Sequence, residues 1–118
     1  MNRQQVYETV RNHLITQNVK SVNNLNAGVY RGRIGRKCAI GVIIPDDLYK
    51  PEFDEVNHNA DIRSIIQRFG AINVLGYEVD EQDIEFLDEL QQIHDQYDPA
   101  VWASKLSQFA TDWGLTPR

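Results

Sequence analysis

A single cysteine, Cys38, and four prolines in 118 residues leave little room for several common ways of building a small protein. One thiol forms neither an internal disulfide nor a multi-cysteine zinc site. Long apolar runs are missing too. The most aliphatic stretch, residues 39–44, is far too short for a bilayer, and the first thirty residues lack a hydrophobic signal core. A reducing cytoplasm is therefore the expected location. There is no internal repeat, low-complexity tract or Pro/Gly/Ser-rich linker, so one globular domain over residues 1–118 is expected. At 42% apolar and 25% charged residues, the chain is too hydrophobic to stay disordered and long enough to bury a core without a metal or disulfide. No cofactor is expected.

Charge of one sign is also missing locally. No Lys or Arg lies between Arg68 and Lys105, while nine acids fall between Glu78 and Asp98. Residues 1–44 carry seven basic side chains against the single acid Glu8, and residues 45–118 carry sixteen acids against five basic residues. The net charge of -5 thus hides a basic front and a strongly acidic back. Such a bipolar surface can select partners and speed encounter. The plainer reading is that the two poles attract each other or are simply solvated, since most surface ion pairs contribute little.

Apolar spacing predicts four helices. Val6, Val10 and Leu14 fall on one helical face over residues 2–16, and the Asn-rich residues 17–28 read as a loop. Ile62, Ile65, Ile66 and Phe69 mark a helix with Asn59 or Asp61 as its cap and Gly70 beyond its end. Residues 71–77 read as an apolar connector. Asp80 starts a long helix to about Tyr97, with Ile84, Leu87, Leu90 or Ile93, and Tyr97 inward and Asp83, Glu85, Asp88 and Glu89 outward. Asp98-Pro99 starts a last helix carrying Trp102, Leu106, Phe109 and Trp113, and the short link predicts an antiparallel helical hairpin.

Residues 29–44, VYRGRIGRKCAIGVII, are the ambiguous segment. Gly32, Gly35 and Gly41 oppose a long helix, and the β-branched run favours extended structure, so a short β-hairpin turning near residues 33–36 is expected. The competing reading starts a short buried helix at Cys38, because periodicity does not separate short buried helices from buried strands. The expected fold is mainly α (α+β): about four helices and one hairpin. Its core is expected to hold Val6, Val10, Leu14, Ile62, Ile65, Leu87, Leu90, Ile93, Trp102, Leu106 and Phe109, with Trp113 closing one edge.

Chemistry-bearing residues are few. Cys38 follows Arg36 and Lys37, whose charge favours a thiolate, so a cysteine nucleophile with His13, His58 or His94 as base is one reading. A buried cysteine packing as a small hydrophobe is the commoner outcome. His94 with Asp95 and Asp98, or Asp54 with His58, offers carboxylates and imidazoles at helical spacing but no recognised metal pattern, and no metal site is expected. Asp46 and Asp47 read as turn-forming acids. Gly32 and Gly35 beside Arg31, Arg33 and Arg36 only faintly suggest phosphate binding. That arginine turn with Tyr30 can meet nucleic-acid phosphates, although the acidic remainder of the chain repels the same polyanion. The favoured class is a non-enzymatic binding module acting on a partner protein, either through the acidic helix, at Asp83, Asp88 and Glu89, or through Arg31, Arg33 and Arg36.

The segments Tyr30-Arg31-Gly32, Gly35, Cys38-Ala39-Ile40-Gly41 and Ile43-Ile44-Pro45-Asp46-Asp47, with Leu90-Gln91-Gln92-Ile93-His94-Asp95 downstream, follow a pattern Y-R-G-x-x-G-x-x-C-A-x-G-x-x-I-P-D. The chain resembles, over most of its length, a set of small uncharacterised bacterial and phage proteins that share this pattern. The resemblance implies a bacterial or phage origin, an accessory role rather than a metabolic one, and some common role for Cys38 and Asp46. It brings no activity and no functional residues with it.

Overall fold

The computed structural model describes residues 2–21, 37–55 and 61–117. Among them the regular structure is helical: α1 (Arg3–Gln17), α2 (Ala39–Ile43), α3 (Glu52–Glu55), α4 (Ile62–Phe69), α5 (Ala71–Leu75), α6 (Glu81–Gln96) and α7 (Pro99–Asp112). The four helices predicted from apolar spacing correspond to α1, α4, α6 and α7. Their starts follow from capping chemistry. Asn2 accepts the Gln5 N–H while the Gln5 side chain accepts the Asn2 N–H, and Asp80 and Asp83 repeat this reciprocal box at the head of α6. Asp61, one of the two predicted caps, accepts the Ser64 N–H to open α4. Asp98 occupies the cap position of α7 but its side chain makes no capping bond; Pro99, which has no N–H to satisfy, does the starting instead.

The expected β-hairpin over residues 29–44 is not seen. Its second arm is helix α2, so the competing reading from Cys38 holds, and residues 29–36 lie outside the described residues. The physical reason is that the first N–H groups of α2 have partners waiting. Cys38 Sγ accepts the Gly41 N–H at 3.2 Å, and the side chain of Gln91, fifty-one residues away, accepts the Ile40 N–H at 3.0 Å. Ala39, Ile40 and Ile43 are then buried, and that packing offsets the weaker helix propensity of the two β-branched isoleucines. Residues 71–77, expected as a connector, hold the five-residue helix α5, closed by Gly76 at φ 90°, a left-handed conformation that favours glycine.

α1 packs against α2, α6 and α7, and α7 runs antiparallel to α6, with Trp113 beside Glu89 and Trp102 beside His94. Every residue expected in the core is buried, and they join one continuous cluster with Tyr7, Phe53, Phe86 and the apolar residues of α2. Trp113 is half-buried at the edge, edge-on to Phe86. Tyr97 corrects the inward assignment made by spacing: it ends α6 in extended geometry, 37% exposed, with Lys105 over its ring. No helix among the described residues is long and apolar enough to cross a membrane.

Candidate functional site

The two capping boxes place the first turns of α1 and α6 side by side. Arg3, the first residue of α1, reaches across to α6, where its Nε donates to Asp83 Oδ1 at 2.8 Å and its Nη2 lies 3.8 Å from Asp80. Its guanidinium also sits over the Trp113 ring at 5.5 Å. The chain leaving α5 at Gly76 runs past these turns through Tyr77, Glu78 and Val79. Between the three segments is a cleft of about 410 Å³, with Val6, Phe86, Leu87 and Val79 below and Arg3, Asp83, Tyr77 and Glu78 around it.

The electrostatics of the cleft follow from this geometry. Burial pushes the Asp83 carboxyl up, but the bond from Arg3, the Asp80 N–H and the Arg3 charge together outweigh it and hold the group below the ordinary carboxylate range. Burial, reinforced by the Asp83 charge, pushes the Tyr77 hydroxyl up, so it remains a protonated phenol. Glu78 is exposed in the lining and Asp80 is exposed beside Arg3, while Glu81, paired to Arg63, and Glu85 lie elsewhere on α6. A concave apolar floor with a few converging polar groups and shifted titrations is the usual form of a binding site.

Of the acids expected outward on the long helix, none of the three proposed for binding is a free surface group. Asp83 is committed to Arg3 and to the cap. Glu89 accepts from Trp113 Nε1 at 2.5 Å, locking the C-terminal end of α7 to α6. Asp88 is half-buried, accepts from Gln92 at 3.3 Å, and its carboxyl is pushed up by burial and by the charge of Asp61. Arg31, Arg33 and Arg36 lie outside the described residues. The sequence reading missed Arg3, Tyr77 and Glu78. The Asp80-x-x-Asp83 box was a visible signal for the head of α6, but nothing local marks Arg3, whose partner is eighty positions away.

Cys38 has none of the surroundings of a nucleophile. It is fully buried, its sulfur is engaged as the cap of α2, and burial drives its titration far above the usual thiol range, with the charges of Asp95 and Asp54 adding to the effect. Asp46 lies at the surface near Lys37, 3.5 Å from its Nζ. His13 Nε2 is bonded to the Lys37 carbonyl at 2.9 Å. Both ring nitrogens of His94 have protein partners, Ser21 N–H at 2.9 Å and Asp95 Oδ1 at 2.7 Å, and His58 lies outside the described residues. Among the described residues no group of three or more His, Cys, Asp or Glu side chains is placed to hold a metal.

Compared with known proteins, the chain matches no protein-family model, no curated protein and no solved structure.

Proposed function

We propose that the chain is a small bacterial or phage accessory protein that works by binding a partner protein, and that the cleft at the heads of α1 and α6 is its recognition site. The observation that carries the reading is the pair of exposed acids at a concave apolar floor, Glu78 in its lining and Asp80 beside Arg3. A negative rim favours a basic partner segment, raising its encounter rate and excluding acidic competitors. The floor of Val79 and Phe86 supplies what charge does not, a pocket for one aliphatic or aromatic anchor. The segment that fits carries Lys or Arg on both sides of such an anchor. Asp83 then serves as the positioning acid, since its bond to Arg3 fixes the wall of the cleft, and Glu89 acts further along α6 by holding Trp113 at the end of α7.

The test is affinity capture from a bacterial lysate, with and without nuclease. Wild type is compared with E78K, whose position lines the cleft, and with R31E/R33E/R36E. The expected result is a nuclease-resistant protein retained by wild type and by the arginine variant and lost from E78K. Retention by E78K, or capture that needs the arginines and disappears with nuclease, overturns the reading, the latter in favour of nucleic-acid binding through residues 31–37.

A further inference from the structure

The buried side chain of His94 is used by nothing described above. It has no exposed surface, it stacks on Trp102 with ring centroids 5.5 Å apart, and its Nε2 lies 2.9 Å from the backbone nitrogen of Ser21, itself buried. A backbone amide only donates, so Nε2 must offer a lone pair and the ring proton must sit on Nδ1. Nδ1 faces Asp95 Oδ1 at 2.7 Å and donates to it. The same oxygen receives the Gln91 amide at 3.0 Å, and the other end of Gln91 receives the Ile40 N–H at 3.0 Å. One chain of donors and acceptors therefore runs from Ser21 through His94, Asp95 and Gln91 to Ile40. It ties the segment that follows α1, and the head of α2, to α6. Every member has its direction fixed by the two backbone amides at the ends.

We infer that His94 is an acid-sensitive latch: proton uptake at Nε2 replaces the acceptor of the Ser21 N–H with a second donor and releases the Ser21 backbone from α6. Conversion of one ring nitrogen from acceptor to donor is the usual basis of histidine switches. A buried N–H left without an acceptor is costly, which supplies the force that opens the contact. The charged and titratable groups around the ring set the balance. From α6, the Asp95 carboxylate favours the imidazolium. From the segment after α1, the Lys20 ammonium, 3.1 Å from the Asp95 carbonyl oxygen, opposes it. From α2, Cys38 is a neutral buried thiol; from α7, the ring of Trp102 presents a face that tolerates a cation. Asp95 and Trp102 hold the protonated ring in place, so the latch opens at Ser21 and the helices stay packed.

Nuclear magnetic resonance on the full chain, titrated from about pH 8 to pH 5, tests this directly. The expected result is the Nδ1–H tautomer of His94 at high pH, and a Ser21 amide that shifts and loses its protection from exchange with the same midpoint as the ring. The D95N variant moves that midpoint to lower pH. In a W113F background, Trp102 fluorescence falls along the same curve. The inference is overturned by an Nε2–H tautomer at high pH, by a Ser21 amide indifferent to ring titration, or by a ring that stays neutral until the whole chain unfolds.

Discussion

Gln17 and Lys37 pair through two hydrogen bonds. The Lys37 N–H donates to Gln17 Oε1 at 2.9 Å, and Gln17 Nε2 donates to the Lys37 carbonyl at 2.9 Å, so a side-chain amide imitates the exchange between two backbone residues. The last residue of α1 thereby fixes the approach to α2, and His13, one turn earlier, adds its ring to the same carbonyl. Replacing Gln17 with alanine takes the acceptor from the Lys37 N–H and leaves the Lys37 carbonyl to His13 alone. The expected loss is about 1–3 kcal/mol of unfolding free energy, read as a lower urea midpoint with an unchanged slope. A neutral result contradicts the pairing.

Tyr7 provides the opposite case. Its ring is buried and stacked on Phe109 at 6.1 Å, yet among the described residues its hydroxyl has no hydrogen-bond partner. The unfolded chain hydrates that hydroxyl, so folding loses the interaction without a return. Tyr7→Phe keeps the ring and removes the problem. The thermal midpoint is expected to rise, corresponding to a gain of up to about 1 kcal/mol; a clear fall shows that the hydroxyl is satisfied.

Two acids on α6 respond to pH in opposite senses. Asp83 is held below the ordinary carboxylate range, so it adds stability at neutral pH that is lost as the pH falls through its folded-state titration. D83N is therefore less stable than wild type at pH 7, and the difference narrows in acid. Asp88 is pushed up, so its charge costs stability at neutral pH. D88N is expected to be more stable than wild type at pH 7, with the gain fading as Asp88 itself becomes protonated. Thermal melts of both variants across the acid range check the signs, and parallel curves contradict them.

Cys38 should behave as a packed hydrophobe. Its full burial and raised titration predict that iodoacetamide reacts slowly with the native chain at neutral pH and rapidly once urea unfolds it. Alkylation of the native chain at the rate of a free thiol contradicts the burial. Cys38→Ser tests the cap separately, because a hydroxyl retains an acceptor for the Gly41 N–H while losing the apolar packing of sulfur.

Most of the helical frame was legible because α1, α4, α6 and α7 each carry apolar residues at three- and four-residue spacing beside a local start signal, a capping Asn or Asp for the first three and Pro99 for α7. The residues of α2 misled because Ile40, Val42, Ile43 and Ile44 prefer extended structure in isolation. What overrides that preference is Gln91, remote in sequence, which supplies an acceptor to the head of the helix. Tyr97 misled for a related reason: the spacing continues through it, but the helix stops at Gln96 and turns its ring outward. The acidity of α6 was plain, yet which acids are spent inside the fold was not. That depends on Arg3 reaching Asp83 and on Trp113 reaching Glu89, pairings that only the packed helices create.

The most direct test of the binding account is the hydrogen-exchange footprint of the captured partner on the intact chain. The account predicts slowed exchange in residues 2–7 and 77–87, the walls of the cleft, with a loss of that protection in E78K. Protection confined to the opposite ends of α1 and α6, or to the outer face of α6 and α7 around Gln96 and Lys105, contradicts it.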